Sequence, residues 1–231
     1  MTQSSQIHIF SDGEALGAAA AQIMGDALAD DLADDLEAGA RVSWVLPGGR
    51  TPRAILPLVL ARDDIDWDRV DVIASDERLV PVDDPASTEG LIRGLFAAAG
   101  RPLNYVSFGA DLDPDAALAM WRAGLDAMAW PPSVAFLGIG DDAHTASLFV
   151  GRAESGDASV FATAVPETAP HVAPRLTLGL AAFAQCRRIV VLANTPAKLA
   201  QLMLALDPES DPVALPVAAV LRMPQTVVLR L

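Results

Sequence analysis

Short apolar runs recur along the chain at residues 42–46, 70–74, 134–137, 189–192 and 226–229, with few polar interruptions inside them. Uninterrupted runs of this length are expected of strands covered on both faces, as in parallel sheets. Longer alanine-rich stretches with helical spacing of their apolar positions separate the runs. The alternation predicts an α/β fold: a Rossmann-like, mostly parallel sheet covered by helices on both faces. A first strand is expected at 6–10. Ser11 followed by Glu14 reads as a capping box that opens a long helix, which Gly39 would close. After the 42–46 strand, Thr51 is placed to cap the next helix and Pro52 suits its first turn. The least regular stretch, 151–174, is rich in small residues and proline and reads as a long loop with room for one strand. The carboxylates between 29 and 37 are spaced like the wet face of an amphipathic helix rather than as a cation site.

Length and composition narrow this picture. A chain of 231 residues suits one large α/β domain spanning 1–231. Apolar residues make up 52% of it, enough for a sizeable core, which excludes global disorder. The net charge of −14 argues against nucleic acid and an anionic membrane as partners, because both need a positive footprint. An anionic ligand would need the few cations gathered locally. No apolar run approaches the ~20 residues that cross a bilayer. Residues 1–6 are polar and lack the pattern of a signal peptide. The single cysteine, Cys186, excludes an intrachain disulfide and fits a reducing compartment, so a cytoplasmic protein is expected. The pattern holds no obvious exposed apolar stripe, which points to a monomer.

Candidate chemistry lies just beyond the predicted strand ends. In Pro47-Gly48-Gly49-Arg50-Thr51-Pro52 the glycines allow a tight turn, and the helix behind adds the positive end of its dipole. Gly48, Gly49, Arg50 and Thr51 are therefore candidate phosphate ligands, although the Gly-Lys-Ser/Thr ending of a Walker loop is absent. An ordinary βα turn is the competing reading. Asp76, Glu77 and Arg78 follow the third strand, at the edge where open α/β sheets bind ligands. A surface turn with a local ion pair is the bland alternative there.

The segment 137–149 holds Gly138, Gly140, Asp141, Asp142 and His144. A Gly-x-Gly-x-x-Ala dinucleotide fingerprint can be traced over 138–143, but it lies past mid-chain and the helix predicted after it is short. His144 stands out because it follows a strand end, sits beside two aspartates and opens that predicted helix. His8, inside the first strand, is expected to be packed, and His171 lies in the proline-rich loop. Arg175, in Pro174-Arg175-Leu176-Thr177, and Lys198, at the start of a helix after the 189–192 strand, add two cations. A lysine so placed can close over a bound phosphate. The three histidines are widely spread and no Cys/His pair has ligand spacing, so no metal is expected.

Four segments then occur together and in order: Gly48-Gly49-x-Thr51-Pro52, Asp76-Glu77-Arg78 with Val80-Pro81, His144-Thr145-Ala146-Ser147-Leu148-Phe149, and Pro174-Arg175-x-Thr177. The combination resembles the 6-phosphogluconolactonase family, itself similar to glucosamine-6-phosphate deaminases, and the resemblance extends from Val42 to about Leu206. The chain departs from that pattern at Ala143, commonly glycine, at Thr88, where Ser87 is usually followed by asparagine, at Val150, usually proline, and at Arg50, often serine. The tail after Asp207 matches poorly.

The resemblance implies hydrolysis of 6-phospho-D-glucono-1,5-lactone to 6-phospho-D-gluconate in the oxidative pentose phosphate pathway, with no cofactor. His144 would be the general base, and Asp76, Glu77 or Asp141 would orient its ring. Arg78, Arg175 or N–H groups near Gly140 would face the oxyanion. The phosphate would lie on residues 48–51 with Lys198, Arg50 or Arg93. Ser147 lacks the Gly-x-Ser-x-Gly elbow of a nucleophile and is assigned to packing or capping. The alternatives are a glucosamine-6-phosphate deaminase or isomerase, a non-catalytic sugar-phosphate sensor and a nicotinamide-dependent oxidoreductase. Against the first, the deaminases carry Ile-Ala-Phe-Asn-Glu after the histidine, where this chain reads Thr-Ala-Ser-Leu-Phe.

Overall fold

Every apolar run expected to be a strand is one in the computed structural model, which describes residues 6–34, 39–109, 112–167 and 173–231. The chain runs through β1 (Gln6–Ile9), α1 (Gly13–Asp34), β2 (Val42–Leu46), α2 (Arg50–Leu60), β3 (Val70–Ala74) and β4 (Asp76–Arg78). It continues through α3 (Thr88–Ala99), β5 (Asn104–Tyr105), α4 (Pro114–Ala127), β6 (Val134–Gly138) and β7 (Ala162–Val165). The last elements are β8 (Arg175–Leu178), α5 (Leu180–Phe183), β9 (Ile189–Ala193), α6 (Pro196–Ala205), α7 (Val217–Leu221) and β10 (Thr226–Arg230).

The main sheet is parallel, with strand order β1-β10-β9-β6-β2-β3-β5. β2, β3 and β9 are buried along their whole length, because α1, α6, α7 and their neighbours pack over them. β1 is the exception. It forms one edge and all four of its residues are exposed, so His8 is not packed as its place in a strand suggested. From β2 the chain first adds strands on the β3 side and later on the β6 side, so the order reverses at β2. Loops leaving β2 and β6 diverge there and open a crevice at the carboxyl edge, the usual ligand position in such sheets.

A second sheet, β4-β8-β7, is antiparallel and was not foreseen. Its strands span three or four residues, too short to announce themselves by periodicity. β7 is the strand allowed for within 151–174; His171, within 168–172, lies outside the described residues.

Several local expectations are corrected. The cap of α1 is Asp12, whose Oδ1 accepts from Ala15 N at 2.8 Å, rather than Ser11. α2 begins at Arg50 behind Gly49, which makes no side-chain cap bond, so Thr51 lies inside the helix instead of capping it. Residues 141–149 form turns and a bridge between Thr145 and Leu148, not a helix. Of the acidic stretch, Asp30 and Asp34 are exposed while Asp31 pairs with Arg187 at 3.1 Å. Residues 35–38, through which Gly39 would close α1, lie outside the described residues. No helix is long and apolar enough to cross a membrane, among the described residues.

Candidate active site

The crevice is a cleft of about 810 Å³ whose walls come from the carboxyl ends of β2, β3, β6 and β9 and from the small sheet. Its size lies within the ~300–1,000 Å³ usual for small-molecule sites.

One wall is the turn from β2 into α2. Gly49 has φ +100°, a conformation that favours glycine, and Gly48 faces Thr88, whose Oγ1 would lie 2.6 Å from any added Cβ. The leading N–H groups of α2 therefore stand at the cleft without a side-chain cap, as a place for an anion. Gly48, Gly49, Arg50 and Thr51 all line this wall. Across from it, Thr195 caps α6 by accepting from Lys198 N at 3.3 Å, and Lys198 also lines the cleft. Half-burial pushes the lysine's pKa down, as does Arg50, while Asp141 favours its charge. Arg50, Arg78, Arg175 and Lys198 outnumber Asp76 and Asp141 in the lining. Four of the 16 Lys and Arg are thus gathered in one cleft on a chain of net charge −14.

A second wall is β4 paired with β8. Side chains alternate along a strand, so Asp76 and Arg78 face the cleft while Glu77 points the other way. Glu77 is buried and accepts from Arg78 N, Thr88 N and Glu89 N at 2.7–2.8 Å and from Ser87 Oγ at 3.1 Å. Burial pushes its carboxyl above the usual range and those four donors pull it back. Glu77 thus anchors the start of α3 and does not reach the cleft. Arg93 is likewise elsewhere: it pairs with Glu89 at 2.7 Å and lies over the Tyr105 ring.

The third wall is the loop after β6. Gly140 N donates to His144 O at 2.8 Å and Thr145 Oγ1 to Gly138 O at 3.0 Å, folding the loop back on the strand end. The imidazole lies so close over Gly140 that an added Cβ would sit 2.1 Å from Nδ1. His144 Nδ1 meets Asp142 Oδ1 at 2.5 Å, and the same oxygen accepts His144 N at 3.2 Å. The hydrogen bond from His144 holds the Asp142 carboxyl down at about 2. The partner of Nδ1 is thus Asp142, which was not among the carboxylates expected to orient the ring, Asp76, Glu77 and Asp141. A side chain two residues before a histidine is within reach of its backbone N–H, a local signal that was passed over. With Nδ1–H donated to a carboxylate, the basic lone pair of the ring is on Nε2.

Asn194 and Thr195 also line the cleft and were missed, and Thr88, noted in the sequence only as a departure from the family pattern, lines it too. Asn194 follows β9 directly, so the rule that selected the other strand ends could have found it. Cys186 is buried, its thiol pushed up to about 12 by that burial, and does not line the cleft. No group of three or more His, Cys, Asp or Glu is placed to hold a metal, among the described residues.

A family model described as glucosamine-6-phosphate isomerases/6-phosphogluconolactonase matches residues 14–229. A 6-phosphogluconolactonase of Caulobacter vibrioides is 36% identical over 226 residues, covering 94% of this chain and 92% of the relative. One of Pseudomonas aeruginosa is 36% identical over 221 residues, covering 91% of each. The crystal structure of a 6-phosphogluconolactonase from Shewanella baltica superposes with a TM-score of 0.85 at 28% identity, over 100% of this chain and 99% of that one.

Proposed function

The chain belongs to the glucosamine-6-phosphate isomerase/6-phosphogluconolactonase family, and on that premise we propose that its cleft hydrolyses 6-phospho-D-glucono-1,5-lactone to 6-phospho-D-gluconate. The observation that carries this reading is the Asp142–His144 pair, set in a wall of the same cleft as the uncapped start of α2 and Lys198. A base and an anion site in one small cleft suit a substrate with a phosphate at one end and an activated ester at the other. The relatives named as 6-phosphogluconolactonases add the substrate.

In this mechanism the phosphate lies on Gly48, Gly49, Arg50 and Thr51 with Lys198 beside it. His144 Nε2 takes a proton from water as the water oxygen attacks C1. Asp142 keeps the ring in that tautomer and balances the imidazolium that forms. Arg78 and Arg175 donate to the oxygen that gains charge at C1. The bond from C1 to the ring oxygen then breaks, and the imidazolium returns its proton to that oxygen. The products are a free hydroxyl and a carboxylic acid, which releases one proton to solvent at neutral pH. Neither metal nor cofactor enters a step. We place the enzyme in the oxidative pentose phosphate pathway, in the cytoplasm, acting as a monomer.

The test is proton release on adding freshly generated lactone, above the spontaneous rate. Wild type is expected to release protons rapidly, with His144→Ala slower by about 10²–10⁴-fold and Asp142→Asn by about 10²-fold. Glucosamine 6-phosphate is expected to yield no ammonia. Wild type no faster than background would overturn the reading.

A further inference from the structure

Ser147 joins two walls of the cleft. Its side chain is fully buried, its N–H donates to Thr177 Oγ1 on β8 at 3.1 Å, and its hydroxyl donates to Asp76 Oδ2 at 2.6 Å. The loop carrying His144 is thereby tied to the sheet carrying Asp76, Arg78 and Arg175. A hydroxyl has one proton to give. With that proton committed to Asp76, Ser147 is no nucleophile, and its lone pairs face Arg175 Nη1 at 3.4 Å. The other oxygen of Asp76 is held by Ser75 Oγ at 3.0 Å.

The consequence concerns Arg175. Its Nη1 stands 3.6 Å from Asp76 Oδ2, well beyond the ~2.7–2.9 Å of a close charge-assisted pair. The guanidinium is nine-tenths buried, lies over the Phe149 ring at 5.4 Å, and its Nε has no partner among the described residues. On the opposite strand Arg78 is in register with it, a like-charge pairing that favours an anion between the two. A buried arginine beside an aspartate would ordinarily close on it. Here the serine hydroxyl occupies the carboxylate oxygen that it would close on.

We propose that Ser147 is a positioning residue, whose hydroxyl holds Asp76 back from Arg175 and so keeps the guanidinium available to the C1 oxygens of substrate and product. The proposal rests on the lactonase reading above. Without the hydroxyl, Asp76 moves onto Arg175 as a direct ion pair, and the positive charge is withdrawn from the ligand.

The experiment is calorimetric titration of 6-phosphogluconate into wild type, Ser147→Ala, Asp76→Asn and the double variant, with thermal unfolding of each as the check on folding. Ser147→Ala is expected to bind about tenfold more weakly. Its kcat for the lactone should fall by a similar factor or more, because Arg175 faces the oxygen that gains charge at C1, while KM stays within about threefold. In the Asp76→Asn background no ion pair can form, so adding Ser147→Ala is expected to change binding by less than about twofold. Ser147→Cys, similar in size but a weak donor, should behave as Ser147→Ala does. Binding by Ser147→Ala equal to wild type would overturn the proposal, and so would equal weakening with and without the Asp76 carboxylate. Wild type that neither binds 6-phosphogluconate nor hydrolyses the lactone would overturn the functional reading itself, before any variant is compared.

Discussion

Two alanines flank His144 in backbone conformations that L residues seldom adopt, with φ +70° at Ala143 and +49° at Ala146. The left-handed region costs a non-glycine residue about 1–2 kcal/mol, which explains why the resembling sequences commonly carry glycine at 143. Ala143 is also fully buried, and its methyl recovers about 0.8 kcal/mol of that cost. Alanine in place of glycine further restricts the unfolded chain, worth about 0.4–1 kcal/mol. The terms nearly cancel. Ala143→Gly is therefore expected to unfold in urea within about 1 kcal/mol of wild type, whereas Ala143→Val, branched and buried at positive φ, should lose more than about 2 kcal/mol. At this scale the identity of His144 was legible because it follows a strand end. Its carboxylate partner was legible only in part: Asp142 stands two residues before it, within local reach, but only the way the loop folds back shows that this carboxylate meets the ring.

Among the elements, β4 decides most. Three residues long, it assigns Asp76 and Arg78 to the cleft and Glu77 to the interior. Sequence proximity had grouped all three, since alternation has meaning only once the segment is known to be a strand. Glu77 then acts as a helix anchor, accepting the N–H groups of Thr88 and Glu89 at the start of α3. Glu77→Gln replaces one accepting oxygen by a donor that faces donors, and is expected to cost about 2–3 kcal/mol of unfolding free energy. Denaturant midpoints check this. A loss below about 0.5 kcal/mol would show that the anchor is dispensable. Arg93 was misjudged for a related reason: on α3 its i,i+4 neighbour Glu89 claims it.

The molecule as a whole carries a net charge of −14 and still concentrates cations in one cleft. Its acid response follows from the carboxylates. Asp26 and Asp64, both bonded to Arg62, and Asp142, bonded to His144, are all held below the ordinary value. Each stabilises the fold above the unfolded value of 3.8, and that contribution is lost as pH falls through the lower folded value. Glu77, raised by burial, works in the opposite sense. Asp12 and Asp157, bonded to nearby backbone N–H groups and serine hydroxyls, are lowered as well. Five groups against one, with 16 Lys and Arg left uncompensated once the carboxylates protonate, predict a falling Tm between about pH 4 and about pH 2. Scanning calorimetry across that range checks it, and a flat or rising Tm would contradict it. The sequence alone determined the parallel strands, because burial on both faces writes itself into contiguous residues. It also determined the family, because four short motifs kept their order. The tertiary structure alone decided the crevice between β2 and β6, the antiparallel sheet and the Asp76–Ser147–Arg175 contact. These depend on distances between residues far apart in the chain, and no local pattern of apolar and polar positions encodes them.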